Sequence, residues 1–90
     1  MLVELNEKNF EENTKTGLKL VEFYTKWCGY CQKQRPIVEE LSQNYIWIGT
    51  VEADENPSLA TNFQIAGFPT FLLFKDGKVI SRLQGYHDKS

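Results

Sequence analysis

"LKLVEFYTKWCGYCQKQRP", Leu18 to Pro36, decides how this chain is read. Its first seven residues are strand-like. Leu20, Glu22 and Tyr24 share one face, and Val21 and Phe23 share the other. Both faces are mainly apolar, as in a central strand covered on both sides; Glu22 is the exception. From Gly29 to Asn44 the pattern turns helical. Ile37, Leu41 and Tyr45 form a row at spacing four, flanked by Val38. Pro36 lies inside this helix and should kink it. Cys28 and Cys31, the only cysteines in the chain, stand where strand gives way to helix.

The rest of the chain alternates in the same way. "MLVEL" reads as a short strand. The polar stretch after it reads as a helix capped by Asn6 and ending near Gly17. "IWIGTVEA" is a second core strand, with Trp47 in the core. "NPSLATNF" is a short helix with Asn56 as cap and Pro57 at its first position. "FPTFLLFK" is a third apolar strand, Asp76-Gly77 marks a hairpin turn, and "KVISRLQ" closes the hairpin before Gly85. The order β-α-β-α-β-α-β-β predicts an α/β fold with parallel crossovers and a mixed sheet of four to five strands, helices on both faces.

Ninety residues make one domain, residues 1–90. The composition, 41% hydrophobic and 13% aromatic, is too apolar for disorder. With a net charge of −2 and both signs interspersed, no basic stripe suggests nucleic acid. No apolar run is long enough for a transmembrane helix, and the N-terminus lacks the basic and apolar regions of a signal peptide. The expectation is a soluble, cytoplasmic chain. In that setting a close cysteine pair is more often catalytic or metal-binding than structural.

The unpaired N–H groups and macrodipole at a helix N-terminus favour the thiolate at Cys28, and the thiolate is the nucleophile. Cys31 lies one turn deeper, placed to attack a mixed disulfide intramolecularly. Three other readings compete. A structural disulfide over so small a loop brings little entropic gain. A zinc site needs four ligands, and beyond the pair this chain has a single histidine, His87. An iron–sulfur site would have to be shared between two subunits. Redox exchange is the favoured reading, and it calls for no cofactor.

The segment "VEFYTKWCGYC", Val21 to Cys31, resembles the active-site segment of the thioredoxin family, an apolar strand ending in Trp-Cys-Gly-x-Cys. Pro36 falls where that family kinks its helix. "ADENP" (53–57), "IAGFPTFLLFKDGK" (65–78) and Gly85 match further family features in register. The likeness spans nearly all of residues 2–87. It implies a thioredoxin-like protein-disulfide reductase. Cys28 would be the exposed attacking thiol and Cys31 the buried resolving one. Pro69 would be the family's cis-proline. The Phe68 backbone would pair with an extended substrate chain, and Gly67, Phe68 and Trp27 would line a shallow apolar groove with Gly29 and Tyr30 beside it. Glu22 occupies the position of the family's acid, and as a buried carboxylate with a raised pKa it would serve Cys31 as a general base. The implied partners are protein disulfides and an external reductase such as a thioredoxin reductase, with no nucleic acid and no membrane.

The chain departs from the family in three ways. Gly29-Tyr30 replaces the usual Gly-Pro between the cysteines. Tyr30 restores an N–H near the thiols, which predicts a somewhat less reducing couple and raises the alternative of a disulfide oxidase or isomerase using the same residues. A non-catalytic thioredoxin-fold binding module is the alternative from another class. Thr50 stands where the family often has a lysine near the buried acid. The segment "GYHDKS" reads as only the threshold of a further helix, so a C-terminal helix looks missing or truncated. This would leave an apolar patch open around Phe71 or Leu72 and Ile80, on a monomer able to self-associate. Tyr24 is expected in the core, His87 on the surface, and Lys26, Lys33, Lys75 and Lys78 on solvated faces.

Overall fold

The computed structural model describes residues 1–88; Lys89 and Ser90, the end of "GYHDKS", lie outside the described residues. Five strands form one mixed sheet: β1 (Leu2–Leu5), β2 (Leu18–Tyr24), β3 (Ile48–Glu52), β4 (Thr70–Lys75) and β5 (Lys78–Gln84). Their spatial order is β1-β3-β2-β4-β5. β1, β3 and β2 run parallel, β4 is antiparallel to β2, and β5 is antiparallel to β4. The helices are α1 (Phe10–Thr14), α2 (Gly29–Asn44) and α3 (Pro57–Asn62). β2 is the central strand, as its two apolar faces require.

Strand alternation divides the core in two. Val21, Phe23, Leu5, Val51, Leu72 and Phe74 point to one face and pack with Phe10 of α1 and Leu59 of α3. Four phenylalanines interlock there: Phe63 lies 5.4 Å from Phe10, 5.6 Å from Phe74 and 6.0 Å from Phe23, centroid to centroid. On the other face Leu20, Ile48 and Phe71 pack under Val38 and Leu41 of α2. α1 and α3 therefore cover one face and α2 the other.

Several expectations change. α1 begins at Phe10 and ends at Thr14. The Asn6 side chain accepts from Lys8 N–H and Asn9 N–H, so it closes a turn ahead of the helix and does not cap it. The buried stripe of α2 is Cys31, Gln34, Val38 and Ser42, not the row ending at Tyr45. Tyr45 is the residue after the last helical turn and is exposed. Trp47 is only partly buried, at the margin of the apolar cluster. Asn56 makes no side-chain capping bond to α3. Its amide ties Glu7 N–H to the Glu52 carbonyl instead.

The hairpin forms as its sequence dictates: Asp76 and Gly77 both take positive φ, 49° and 86°, the geometry of a type I′ turn. Asp76 also exchanges hydrogen bonds with Gly17, accepting from its N–H at 2.7 Å and donating to its carbonyl at 2.9 Å. The expected apolar patch is displaced. Phe71 and Leu72 are buried, and the exposed apolar side chains of the hairpin are Val79, Ile80 and Leu83 on β5. A register shift at Leu73/Phe74 helps to turn Ile80 outward. Tyr86 to Asp88 have no regular structure, but they are anchored. The buried Gln34 side chain donates to the His87 carbonyl at 2.7 Å and accepts from its N–H at 2.9 Å.

Candidate active site

The cysteines sit at the carboxyl end of β2, where α2 starts. Cys28 is the N-cap of α2, and its Sγ accepts from the Cys31 N–H at 3.1 Å. A cap residue satisfies one of the helix's orphan amide donors, and here a sulfur does so. The amide that reaches the thiol is that of Cys31, not Tyr30. The Cys28 thiol also points at the Phe68 carbonyl, 3.7 Å away. No disulfide joins the two cysteines in this structure.

The contrast of an exposed Cys28 with a buried Cys31 does not hold at the level of the residue: 7% of Cys28 and 6% of Cys31 is exposed. The neighbouring Trp27 and Tyr30 are by contrast largely exposed, at 70% and 63%. The Trp27 indole donates to Asp54 at 2.8 Å and meets Phe68 edge-on at 6.0 Å. Tyr30 lies beside Tyr86, and Lys33 sits over the Tyr86 ring.

The Phe68–Pro69 bond is cis. Around it, Thr70 donates to the Gly67 carbonyl and Gly85 N–H to the Pro69 carbonyl. A Cβ on Gly67 would meet the Gln84 side chain at 2.7 Å, whereas one on Gly29 would meet nothing within 4 Å. Gly29 thus leaves open space beside Cys28. Of the residues named for the groove, Phe68 reaches Cys28 through its carbonyl and Trp27 meets the Phe68 ring; Gly29 and Tyr30 follow Cys28 as the first residues of α2, and Gly67 and Pro69 flank Phe68.

Behind the pair, on the α2 side of the sheet, a cavity of about 210 Å³ is lined by Glu22, Tyr24, Thr25, Cys31, Gln32 and Arg35, with Lys26 at its edge. Glu22 is 2% exposed. Burial pushes its carboxyl up to about 7, Arg35 pulls it partly back, and Glu4 raises it. No cation comes from Thr50, whose hydroxyl donates to Glu4 at 2.7 Å; the cation beside Glu22 comes from α2. The Cys31 thiol is pushed up to about 12, first by burial and then by its hydrogen bond with Cys28, with the Thr25 backbone opposing. Thr25 Oγ1 is buried and has no hydrogen-bond partner among the described residues.

Tyr24 is not a core residue. It is half-buried beside this cavity, and its hydroxyl donates to the Glu4 carboxylate at 3.1 Å. Glu52, at the end of β3, went unnoticed in the sequence. It is 2% exposed and accepts from Lys26 N–H at 3.0 Å and Glu55 N–H at 2.8 Å. It holds the loop before Cys28 against the loop before α3. The Lys26–Glu55 ion pair at 2.6 Å and the Trp27–Asp54 bond clamp the same two loops from outside. The sequence signal for Glu52 is its parity: it falls on the same strand face as Ile48 and Thr50. His87 is exposed, as expected.

Known proteins are similar to this chain in sequence and fold. Residues 1–90 match the family model described as Thioredoxin. The thioredoxin of Staphylococcus haemolyticus is 38% identical, over 98% of this chain and 88% of its own. That of Chlamydia pneumoniae is 37% identical, over 94% of this chain and 85% of its own. Among solved structures, mitochondrial thioredoxin 3 from Saccharomyces cerevisiae in its oxidized form superposes with a TM-score of 0.86 at 31% identity, covering 93% of this chain and 83% of that one.

Proposed function

The chain belongs to the thioredoxin family and is a thiol–disulfide oxidoreductase with protein-disulfide reductase activity; on that premise we propose that Cys28 attacks, Cys31 resolves and Glu22 manages the proton between them. The observation that carries this reading is the Cys31 N–H bond to Cys28 Sγ at the start of α2. An amide aimed at a sulfur stabilises negative charge on it.

The steps balance as follows. The Cys28 thiolate attacks one sulfur of a substrate disulfide, forming a mixed disulfide and expelling the first substrate thiolate. Cys31 gives its proton to Glu22. The Cys31 thiolate then attacks Cys28 Sγ, closing the Cys28–Cys31 disulfide and expelling the second substrate thiolate. Two electrons pass to the substrate, and the expelled thiolates take up protons. An external dithiol reductase, of the thioredoxin reductase type, returns the pair to its reduced state.

In the resting protein Cys31 is a poor acid, and two of the causes are its hydrogen bond with Cys28 and the Cys28 charge. Both disappear when Cys28 is locked in a mixed disulfide, while burial, the largest cause, remains. The resolving thiol is thereby partly relieved at the moment it is needed, and the Glu22 carboxyl that shares its cavity is there to take the proton. The substrate chain lies over Gly29, where there is open space, between Trp27 and Tyr30. It faces Gly67, Phe68 and Pro69, and its backbone displaces the Cys28 thiol from the Phe68 carbonyl.

Insulin-disulfide reduction tests the assignment. Wild type should turn over and Cys28→Ser should be inactive. Cys31→Ser should trap mixed disulfides that a thiol reductant releases. Turnover retained in Cys28→Ser would remove its role.

A further inference from the structure

Glu22 does not sit alone on its face of the sheet. The strand register aligns Glu4 of β1, Thr50 of β3 and Glu22 of β2 in one row across three neighbouring strands. Adjacent strands are about 4.8 Å apart, so the backbones of Glu4 and Glu22 stand about 10 Å apart with a threonine between them. Thr50 and Tyr24 both turn their hydroxyls to Glu4, at 2.7 Å and 3.1 Å. Glu4 therefore has two donors fixed on it. Arg35 reaches the same ground from above. It lies four residues beyond Cys31 on α2 and lines the cavity with Cys31 and Glu22. Its Nε pairs with Glu39, one turn further on, at 3.2 Å.

The charged and titratable groups around Glu22 are then few. They are Glu4 from β1, Tyr24 from β2, Glu52 from β3, Lys26 from the following loop, and Cys31 and Arg35 from α2. Lys26 is paired with Glu55 on the surface, and Glu52 is engaged by two backbone amides. Arg35 is paired with Glu39 through its Nε and Glu4 holds two hydroxyls, yet these two charges of opposite sign are placed to act on the Glu22 carboxylate: Arg35 lines the cavity with it and Glu4 lies along its row. Both are named among the causes acting on Glu22, with opposite effects.

We propose that Arg35 is a positioning residue for the resolving step: opposed by Glu4, it sets the charge on Glu22 and through it the ease with which Cys31 is deprotonated. This rests on the reading of Glu22 as the base for Cys31. Arg35 touches neither substrate nor sulfur in this role. It acts on the carboxylate across the cavity, where low dielectric makes a charge felt at longer range than in water. The charge comes from the helix that carries both cysteines. Any movement of α2 when the disulfide closes would therefore alter the proton affinity of Glu22 in step with the redox state.

The test titrates Glu22 directly in the full, reduced chain, by carboxyl-carbon NMR with labelled glutamate. The same proteins are then followed in single-turnover release of a mixed disulfide against pH. In wild type Glu22 should titrate near 7. Arg35→Gln should move that midpoint up by about half a unit to one unit, as expected for one charge lost at this range. Arg35→Lys should restore most of it. Glu4→Gln keeps an acceptor for Thr50 and Tyr24 and should move the midpoint down. The pH profile of release should follow in the same directions.

Opposite shifts from two surface-side substitutions are not what general loosening of the fold produces. A Glu22 midpoint that stays put in Arg35→Gln, or moves the same way in both variants, overturns the proposal. A midpoint that moves while the release profile does not would break the link to Cys31, and with it the base reading of Glu22.

Discussion

β2 carries both sides of this molecule in one strand. Val21 and Phe23 look into a face made mainly of aliphatic and aromatic side chains, closed by α1 and α3. Leu20, Glu22 and Tyr24 look at α2, and from Glu22 outward that face turns polar, with Glu4, Thr50 and Glu52 on the neighbouring strands. The two faces share a backbone and differ by one residue of register. The first has the packing of an ordinary core. The second keeps buried carboxyl groups that oppose burial, next to the sulfurs. Both faces hold apolar packing, but the buried Glu22 and Glu52 and the Cys31 thiol lie on the α2 side.

The polar face also contains a smaller contrast. Glu22 and Glu52 are equally buried, at 2% exposure each. Glu52 has a backbone amide on each carboxylate oxygen. Glu22 faces a cavity, and burial is the largest cause acting on it. A buried carboxylate can thus serve as a fastener or as a titrating group, depending on what points at it.

The largest effect should come from the apolar face. Phe23→Ala removes a fully buried ring in contact with Phe63 and should cost about 3–5 kcal/mol in urea unfolding. A much smaller cost would mean that the aromatic cluster is not the main support.

Glu22→Gln should do the reverse on the polar face, and only in part of the pH range. The folded carboxyl titrates near 7 against an ordinary value of 4.5, so the folded state binds the extra proton. The penalty is absent below about 4.5, grows as pH rises and is complete above 7. The variant should be more stable than wild type by on the order of 3 kcal/mol at pH 8 and about equal to it at pH 4. Unfolding curves at the two pH values measure this. Equal curves at pH 8 would mean that Glu22 is solvated.

Glu52→Ala leaves the Lys26 and Glu55 amides without their acceptor and should cost about 1–3 kcal/mol. Faster amide exchange at both residues is the accompanying sign. If exchange there is unchanged, Glu52 does not fasten the loops. Lys26→Ala is the smallest case. Its pair with Glu55 is mostly exposed, and the thermal midpoint should not move measurably.

Much of this contrast was legible beforehand, for physical reasons. β2 and α2 were bounded correctly because a strand apolar on both faces and a helix beginning at Cys-Gly-Tyr-Cys leave little choice. Asp76-Gly77 demanded its turn. The carboxylate at Glu22 stood out because apolar neighbours flanked it. What stayed hidden depends on register or on competition for side chains. Glu4 becomes a neighbour of Glu22 only once β1 pairs with β3 and β3 with β2. Arg35 looks like any helix charge until α2 is laid over that row. Asn6 and Asn56 have the composition of helix caps but bond elsewhere. The resemblance implies an exposed Cys28; its burial depends on the fold, which brings the Phe68 carbonyl against the thiol.

Gln34 has a use outside the chemistry. Its amide holds both backbone groups of His87 as a neighbouring strand would, although neither residue belongs to a ladder. The His87 N–H is therefore shielded from solvent by a single side chain that rides on α2. Its exchange with deuterium is a gauge for that helix, readable at a site remote in sequence. If closing the disulfide shifts α2 against the sheet, this one amide changes its rate while its sequence neighbours do not, and the redox state can be read without touching a sulfur.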